Sequence, residues 1–558
     1  MKLKSLNVKN YRGLRGDNNK IGFDKSEIIF LVGENNSGKS TFLTAYSFFI
    51  NPTQKANIRD FYNNSIENPI EIEAEFLINP EIDSTDKVLA KEEPNWISKW
   101  ANSENIIKIR KIWEKEDEVG KKQTMNPTTN IYQDGGFGGF DSLLKRYAPV
   151  AVPINAVITV NDLEISINDI INKNHIKKLE TVYSENYNKV IGELQNLKSV
   201  ISQSEDISEI NRKMNVFFTE IFPKLMLNIY PLSDEGIDIT KTLKSTHGVC
   251  VHDDGCEHLD IDLKQNGHGV VRQAFFSFLS TYGNDITGKE KQYLILFEEP
   301  ELYLHPEAIF SLRGQLYSLA RNSPYQILCA THGPMMIDLE KPHSSIVRLV
   351  KDEKDITRTY QVDFDLFEGE DKDRLQMMNR FNPHICESFF AKRVILVEGD
   401  TEAIFYRVII RKFYPDEKVF VLNTGSKANM VFFQRVLTHF GISHIVVHDC
   451  DSKTFIDKKG IEKTNPMYSF NKSISDQIIA SNKQNSNIAR RFVHFLDFES
   501  AHGYSQDESI GKPLSAYNYA KSIKAKDKKP CFEFLDDLFG KNSINISEDD
   551  LEKNYKEN

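Results

Sequence analysis

Short aliphatic runs that end in glycine, acidic or polar residues recur along the chain. The length and aliphatic content of each run predict a buried β-strand. The runs are IIFLV at 28–32, YLILF at 293–297, YQILCA at 325–330, RVILV at 393–397 and HIVVHD at 444–449. Helical stretches follow the first and fourth runs, so the predicted fold class is α/β.

The N-terminal segment MKLKSLNVKNY alternates apolar and polar residues, which also predicts a strand. It lacks the apolar core of a secretory signal, and no run approaches the roughly 20 apolar residues of a membrane span. We therefore expect a cytoplasmic protein without a membrane segment.

The strand runs divide into two groups along a chain of 558 residues, which exceeds what one hydrophobic core usually organises. We assign the first group to an α/β domain at 1–60 and 240–365, with 61–239 as the rest of its lobe. The second group is assigned to another α/β domain at 385–558.

A narrow apolar seam lies in the polar, asparagine-rich region between the two halves of the first domain. Its members recur at spacings of three and four over about four heptads. They are Ile176, Leu179, Tyr183, Tyr187, Val190, Leu194, Leu197 and Ile201. The seam predicts a helical insertion around 165–225 that carries a dimer contact. A helix that packs on its own domain is the alternative.

Composition limits the classes of function. An apolar fraction of 40% and a charged fraction of 27% are ordinary for a globular protein. The formal net charge of -10 argues against a protein that coats nucleic acid electrostatically, but it allows an enzyme that meets phosphates through metal ions. Six scattered cysteines fit reduced thiols better than a disulfide framework.

The strand at 28–32 runs into GENNSGKST, which has the spacing of a P-loop. The glycines let backbone N–H groups turn toward phosphates, the lysine reaches the outer phosphates, and the serine can ligate magnesium. ATP and Mg²⁺ are therefore the predicted cofactors. The predicted nucleotide-binding residues of this loop are Gly33, Asn36, Gly38, Lys39, Ser40 and Thr41.

The strand at 293–297 ends in two carboxylates. Glu298 is expected to hold the magnesium ion, and Glu299 to polarise the attacking water as the catalytic base. A later strand ends at Thr331 and His332. Such a histidine is more often structural, but its place after the paired glutamates favours a switch that senses the nucleotide.

Between these elements, NGHGVVRQ at 266–273 precedes an amphipathic helix. The order P-loop, glycine-containing segment, paired glutamates and histidine resembles that of the ABC-type ATPases. The resemblance implies two ATPase heads that close on ATP, and hence a homodimer or a larger homo-oligomer. Glu298 stands where that family usually has aspartate, and NGHGVVRQ is a reduced form of its Leu-Ser-Gly-Gly-Gln signature. These departures imply slow hydrolysis.

Carboxylates also gather where the predicted strands of the second domain end. The carboxyl ends of parallel strands meet at one edge of a sheet. At about 4 Å, two unscreened carboxylates repel each other by roughly 4 kcal/mol at an effective dielectric constant of about 20. Such a cluster favours bound Mg²⁺, Mn²⁺ or Ca²⁺. Its predicted members are Glu398, Glu402, Asp449, Asp451 and Glu499.

VEGDTE at 397–402, followed by HDCDSK at 448–453, resembles the Toprim domain of topoisomerases, primases and nucleases. An ABC-type ATPase followed by a Toprim domain is similar to the OLD (overcoming lysogenization defect) family. The resemblance implies a metal-dependent DNA endonuclease, often in antiphage defence, with a dimerisation segment inserted in the ATPase. It makes the five carboxylates metal ligands, and Glu398 and Asp449 also count as catalytic.

GKPLSAYNYA at 511–520 looks like the Lys-Pro-x-x-Ala element of the family, which makes Lys512 the candidate catalytic lysine. DKKP at 527–530 offers Lys529 as a rival. Relatives occur alone, beside a helicase-like partner, or with a retron reverse transcriptase and its DNA. The resemblance therefore allows an operon partner of either kind.

A cysteine and histidine cluster precedes the glycine-containing segment. If Asp253-Asp254-Gly255 formed a hairpin turn, the four side chains of the cluster could converge on zinc. They are Cys250, His252, Cys256 and His258. Because the C-x-H spacing is not a usual structural zinc pattern, a polar hairpin is the alternative.

A different class of function is also open on the sequence alone. The chain could be a chromosome-maintenance or DNA-repair ATPase whose acidic C-terminal domain is a regulatory binding module. A plasmid-nicking assay with magnesium or manganese would separate that hypothesis from a nuclease.

Overall fold

The computed structural model describes residues 1–79, 99–136, 147–156, 292–362 and 383–557, apart from a few positions within them, and short pieces between 157 and 291. The chain forms two compact units. One unit comprises Met1–Ala156 and Thr287–Asn558, and the other comprises Val157–Ile286.

Strands and helices are numbered in chain order. The strands are β1 (Lys2–Lys9), β2 (Lys20–Gly22), β3 (Ile28–Val32), β4 (Ile70–Leu77), β5 (Ile106–Trp113), β6 (Lys121–Asn126), β7 (Ile131–Asp134), β8 (Val150–Ile154), β9 (Cys250–His252), β10 (Asp260–Asp262), β11 (Tyr293–Glu298), β12 (Tyr325–Ala330), β13 (Ile346–Lys351), β14 (Thr357–Gln361), β15 (Arg393–Val397), β16 (Phe420–Asn423), β17 (Ser443–Asp449), β18 (Thr454–Ile456), β19 (Glu462–Thr464) and β20 (Ala489–His494). The helices are α1 (Lys39–Ile50), α2 (Pro306–Arg321), α3 (Asp400–Phe413), α4 (Met430–His439), α5 (Pro466–Gln484), α6 (Phe498–His502), α7 (Lys512–Ser522), α8 (Pro530–Phe539) and α9 (Glu548–Glu557).

An antiparallel sheet forms one layer of the N-terminal lobe, in the order β2-β1-β4-β5-β6-β7. Its strands alternate between core and solvent. In β4, for example, Ile70, Ile72, Ala74 and Phe76 are buried while the residues between them are more exposed. One face of this sheet therefore covers the core of the lobe.

The second layer is a sheet in the order β14-β13-β3-β12-β11-β8, parallel except for the pair β13 and β14. All residues of β3 are buried. Strands that are covered on both faces form continuous aliphatic runs, which is why the sequence predicts them well. The α/β class is confirmed, and the carboxyl ends of β3, β11 and β12 meet at one edge of this sheet.

Helix α1 joins the two sheets into one core. Its residues Tyr46 and Phe49 are fully buried and belong to the same hydrophobic cluster as Ile72 of one sheet and Leu31 of the other. The Tyr46 hydroxyl donates a hydrogen bond to the carbonyl of Pro149 at 2.7 Å, so its burial leaves no unpaired polar group.

The C-terminal domain is built on a parallel sheet in the order β16-β15-β17-β20, with helices α3, α4 and α5 in the connections. This is the α/β arrangement that the sequence predicts for the second domain. Aliphatic residues of the sheet and aromatic residues of the helices, including Ile395, Phe405, Phe492 and Phe534, share one core. The core fixes the positions from which the strand ends project.

One strand boundary in this domain differs from the prediction. Glu499 is predicted to lie where a strand ends, but the nearest strand, β20, ends five residues earlier at His494. The chain then turns so that Asp497 can cap α6, where its side chain accepts a hydrogen bond from the Ser500 backbone N–H at 2.7 Å. Glu499 therefore lies in the first turn of a short helix.

A buried arginine of β13 links the N-terminal lobe to the C-terminal domain. The side chain of Arg348 is almost fully buried and donates hydrogen bonds only to backbone carbonyls. Its Nε and Nη2 atoms bind Phe389 O at 3.0 Å and Ala391 O at 2.8 Å, between the two domains. Its Nη1 atom binds Phe440 O at 3.1 Å and Gly441 O at 2.9 Å, just before β17.

The second unit contains an antiparallel pair formed by β9 and β10. In this pair Cys250 lies opposite Asp262 and His252 lies opposite Asp260. An antiparallel hairpin is therefore present, but its register differs from the one that a turn at Asp253-Asp254-Gly255 would give. Residues 256 and 258 themselves lie outside the described residues.

The apolar seam at 176–201 also lies outside the residues that the structure describes, so the dimer contact there stays a prediction. Within the described part of the chain, no helix has the length and apolar character needed to cross a membrane. The cysteine side chains at 329, 386, 450 and 531 are buried.

Candidate functional site

The P-loop follows β3 and leads directly into α1. Gly33 has a φ of 135° and Gly38 a φ of 103°, and such values favour glycine because a side chain would be strained there. Asn36 lies between them with a φ of 63°. Ser40 and Thr41 follow in the first turn of α1, where Ser40 is exposed. The loop thus has the geometry of a phosphate-binding turn.

Lys39, the lysine of this loop, is buried. Its Nζ atom donates hydrogen bonds to the carbonyls of Gly33 at 2.9 Å and Glu34 at 2.7 Å. Burial lowers the Lys39 pKa to about 8, although Glu299 and Glu301 act in the opposite direction. The ammonium group is therefore held at the first half of the loop, where it can reach outer phosphates.

The paired glutamates stand at the end of β11, and β12 lies between this strand and the P-loop strand β3. Glu298 is the last residue of β11 and lies opposite Ala330 of β12. Glu299 has a φ of 45°, and its Oε1 atom is 3.8 Å from Nε2 of His332. Burial and then the charge of Lys39 lower the His332 pKa, so the imidazole is neutral near pH 7.

Glu301 is a residue beside this site that the sequence analysis missed. Its Oε1 atom accepts hydrogen bonds from Thr331 Oγ1 at 2.7 Å and from the backbone N–H groups of His332 and Gly333, both at 2.8 Å. The carboxylate thus fixes the loop that carries the histidine. The sequence EEPE contains the signal, because a third acid follows the pair within one turn.

The predicted signature segment is described only at 267–271 and at one further position. Residues 268–271 begin a helix, and the Val270 N–H donates to the carbonyl of Gly267 at 2.9 Å. Because this segment belongs to the second unit, its contact with a nucleotide stays a prediction.

Three predicted metal ligands lie at the carboxyl edge of the C-terminal sheet. Glu398 directly follows β15, and Asp449 is the last residue of β17. The Oε1 atom of Glu398 accepts a hydrogen bond from the Asp449 backbone N–H at 2.8 Å. Glu402 lies in the first turn of α3 and is only 8% exposed. Two strands and one helix therefore bring these carboxylates to one place.

The carboxylates of this edge perturb one another. Burial, followed by the charge of Asp449, raises the Glu398 pKa to about 8. Burial, followed by Asp451 and Glu499, raises the Asp449 pKa to about 8. Burial also raises the Glu402 pKa to about 7, with further contributions from Asp449 and Glu499. The other four predicted ligands thus all lie within electrostatic reach of Asp449.

Lys427 is a second residue that the sequence analysis missed. Its side chain has no exposed surface, and its Nζ atom lies 2.6 Å from Asp451 Oδ2 and 2.5 Å from the Asp449 carbonyl. Asp451 has a φ of 61°, so this contact and the turn fix its orientation. The lysine stands in NTGSKAN after β16, where glycine, serine and lysine follow a strand.

His494 orients the central carboxylate. Its Nδ1 atom is 3.2 Å from Asp449 Oδ1, and its Nε2 atom is 3.0 Å from the Tyr406 hydroxyl. Burial lowers the His494 pKa to about 3, so the ring is neutral. When Asp449 is ionised, a neutral ring in this position donates from Nδ1 to the carboxylate and accepts from the tyrosine hydroxyl at Nε2.

The two candidate catalytic lysines have different surroundings. Lys512 is exposed at the start of α7. Lys529 is partly buried, and its Nζ atom donates to the His502 carbonyl at 3.1 Å and to the Tyr519 hydroxyl at 3.0 Å. Lys529 thus holds the end of α6 against α7, which favours a structural role.

Helix α7, which begins at Lys512, packs on α3. Lys412, near the end of α3, donates to the carbonyl of Lys521, near the end of α7, at 3.0 Å. The two helices pack on each other through this contact and through the stacked rings of Phe405 and Tyr519.

Comparisons with known proteins agree with this geometry. Residues 1–137 and 141–337 match the AAA ATPase domain family, and residues 389–451 match the Toprim domain of overcoming lysogenization defect protein-like proteins. This chain belongs to the AAA ATPase domain family and is of the OLD type. The family predicted from the motifs is confirmed.

Relatives of the OLD-type chain extend over most of its length. The Old nuclease of Escherichia phage P2 is 24% identical over 473 residues, which cover 81% of this chain and 77% of the phage protein. Endonuclease GajA of Bacillus cereus strain VD045 is 23% identical over 505 residues, with coverages of 83% and 77%. The OLD nuclease of Thermus scotoductus is 30% identical over 181 residues, with coverages of 31% and 34%.

The Toprim domain of the OLD type implies divalent metal, and the donor set of this chain fits. The side chains at the sheet edge offer carboxylate oxygens, which Mg²⁺, Mn²⁺ and Ca²⁺ prefer. Burial and neighbouring carboxylates raise the pKa values of Glu398 and Asp449, and a bound cation would offset both effects. Among the described residues, no three His, Cys, Asp or Glu side chains already stand at the spacing of metal ligands.

Proposed function

We propose that this protein is an ATP-regulated, divalent-metal-dependent DNA endonuclease that acts in antiphage defence. The observation that carries the proposal is the cluster of buried carboxylates around Glu398, Glu402 and Asp449 at the edge of the Toprim sheet. Buried acids with raised pKa values destabilise the folded protein in their ionised form, so their presence indicates catalysis or cation binding.

The relatives support the reaction class. Two proteins that this chain matches over most of their length are named as nucleases, and one of them, GajA, as an endonuclease. We extend that activity to this chain and take DNA as the substrate. A role in defence and an operon partner, either helicase-like or a retron reverse transcriptase with its DNA, follow from the same resemblance.

The Toprim residues have separate tasks in the proposed cleavage. Glu398, Glu402, Asp449, Asp451 and Glu499 would hold divalent ions, which lower the pKa of a bound water and neutralise phosphate charge when present. His494 keeps one oxygen of Asp449 oriented. Lys427 does the same for Asp451. Lys512, with its exposed ammonium group, would offset charge that develops on the phosphate.

The ATPase residues would bind and hydrolyse ATP with Mg²⁺. Lys39 and the P-loop amides would hold the phosphates, while Ser40 and Glu298 would hold the magnesium ion. Glu299 would orient the attacking water as general base. His332, which Glu301 holds in place, would respond to the outer phosphate.

We further propose that the protein acts in the cytoplasm as a homodimer or larger homo-oligomer. Two ATPase heads would enclose ATP, and the seam at 176–201 would add a second contact. The nucleotide state of the heads would then regulate cleavage by the Toprim domain.

Nicking of supercoiled plasmid tests the proposal. We expect cleavage with Mg²⁺ or Mn²⁺, complete loss in a chelator, and recovery when the metal is restored. Cleavage that continues in the chelator at an undiminished rate would contradict metal dependence. Plasmid that stays intact under every metal and nucleotide condition would contradict the nuclease assignment.

A further inference from the structure

A cavity of about 690 Å³ opens beside the P-loop and is lined by both domains of the larger unit. Glu34, Asn35 and His332 line it from the ATPase side. Glu387, Lys392 and Lys418 line it from the Toprim side and the segment that leads into it. A cavity of this size can accommodate part of a nucleotide.

The cavity lies at the end of the P-loop that receives outer phosphates. The Lys39 ammonium group, which reaches these phosphates, is bonded to the carbonyls of Gly33 and Glu34. Both residues line the cavity, as does His332. The terminal phosphate of a bound triphosphate would therefore face the Toprim side of the cavity.

The Toprim side presents two exposed ammonium groups to this space. Among the described residues, neither Lys392 nor Lys418 has an ion-pair or hydrogen-bond partner, whereas Glu387 is paired with His384 at 2.7 Å. Glu34 and Glu387 also line the cavity, but the two lysine ammonium groups form no ion pair with them and can contact an anion.

These lysines stand at the starts of two Toprim strands. Lys392 directly precedes β15, which ends next to Glu398, and it follows Ala391, whose carbonyl Arg348 holds at 2.8 Å. Lys418 lies two residues before β16, which pairs with β15. A ligand that binds both lysines would therefore contact the amino ends of β15 and β16, and the carboxyl ends of these strands border the metal site.

We propose that Lys392 and Lys418 bind the terminal phosphate of a nucleoside triphosphate held by the P-loop. ATP then ties the Toprim domain to the ATPase domain, and ADP, which lacks that phosphate, does not. The regulatory meaning of this contact rests on the proposed function, but the binding itself does not.

Equilibrium binding of ADP and of a non-hydrolysable ATP analogue, both with Mg²⁺, tests the inference. The substitutions Lys392→Ala and Lys418→Ala should each weaken the ATP analogue about fivefold to tenfold and leave ADP nearly unchanged. Lys472→Ala, at an exposed lysine of α5, is the matched control and should change neither affinity. Equal weakening of both nucleotides, or of neither, would overturn the inference.

Protection from a lysine-acylating reagent gives an independent readout on the unaltered protein. The ATP analogue should protect Lys392 and Lys418 from acylation, ADP should not, and Lys472 should react equally in both. Equal labelling with the two nucleotides would overturn the inference. Because neither measurement uses DNA cleavage, failure here leaves the nuclease proposal intact, and an inactive wild-type nuclease leaves this inference intact.

Discussion

The interdomain arginine offers a prediction with a magnitude that the structure defines. Replacing Arg348 with methionine keeps an apolar side chain of similar length but removes hydrogen bonds to the carbonyls of Phe389, Ala391, Phe440 and Gly441. A net contribution of about 1 kcal/mol for each bond gives about 4 kcal/mol in total. The stability should be lost at the contact that Arg348 makes between the two domains, which we call the joint. Every carbonyl that accepts one of these hydrogen bonds lies between the domains or just before the Toprim strand β17.

Hydrogen exchange resolves where that stability is lost. If β17 opens through the joint, 4 kcal/mol corresponds to exchange of its amides about two to three orders of magnitude faster in Arg348→Met. Arg407→Met is the matched control, since exposed Arg407 donates to the single carbonyl of Val421 at 2.8 Å. Arg348→Lys should behave like Arg348→Met, because a single ammonium group cannot reach all the carbonyls that the separate nitrogen atoms of the guanidinium group contact.

The same variant reports on communication between the domains. Val32, the residue before the P-loop, lies opposite Arg348 in the pairing of β3 with β13. We expect Arg348→Met to bind ATP nearly normally while nicking loses its response to the nucleotide. Exchange rates in β17 no faster than those of Arg407→Met would refute the reasoning about the joint.

Three further predictions concern single residues. Glu299→Gln should retain bound ATP and slow its hydrolysis by on the order of a hundredfold, measured as phosphate release; unchanged turnover would place the base elsewhere. Lys512→Ala should slow cleavage about a hundredfold with little change in DNA affinity, whereas Lys529→Ala should mainly lower stability; the reverse result would reassign the catalytic lysine. Burial lowers the His444 pKa from 6.5 to about 4, so the unfolded chain binds a proton at this histidine before the folded protein does. The free energy of unfolding should therefore fall by about 3 kcal/mol as the pH drops from 6.5 to 4. Urea unfolding checks this, with His444→Asn as the control, and an equal loss of stability in acid in that variant would argue against the prediction.

The strands that carry the candidate sites could be predicted because each is a short aliphatic run that ends in glycine, acidic or polar residues. Glu398 and Asp449 follow buried residues of β15 and β17, so parallel pairing alone brings the two strand ends together. The P-loop could be predicted for a similar reason, since its spacing is local. Local patterns thus define the edges of both sheets.

Contacts between distant segments could not be predicted in this way. Lys427 reaches Asp451 from another connection of the sheet, and Arg348 reaches Gly441 from another domain. The same limit applies at β9, where local spacing left the register of the hairpin open and the structure pairs His252 with Asp260. Sequence spacing describes one segment at a time, whereas these contacts depend on how segments pack.

Plasmid nicking by the Asp449→Ala variant tests the central claim most directly. Asp449 ends β17, contacts both Glu398 and His494, and has no part in the P-loop. We predict that Asp449→Ala abolishes cleavage with Mg²⁺ and with Mn²⁺ while ATP affinity stays near that of the wild type, and that Asp476→Ala, at an exposed aspartate of α5, changes neither. Undiminished nicking by Asp449→Ala under both metals would contradict the assignment of the nuclease site to the Toprim carboxylates.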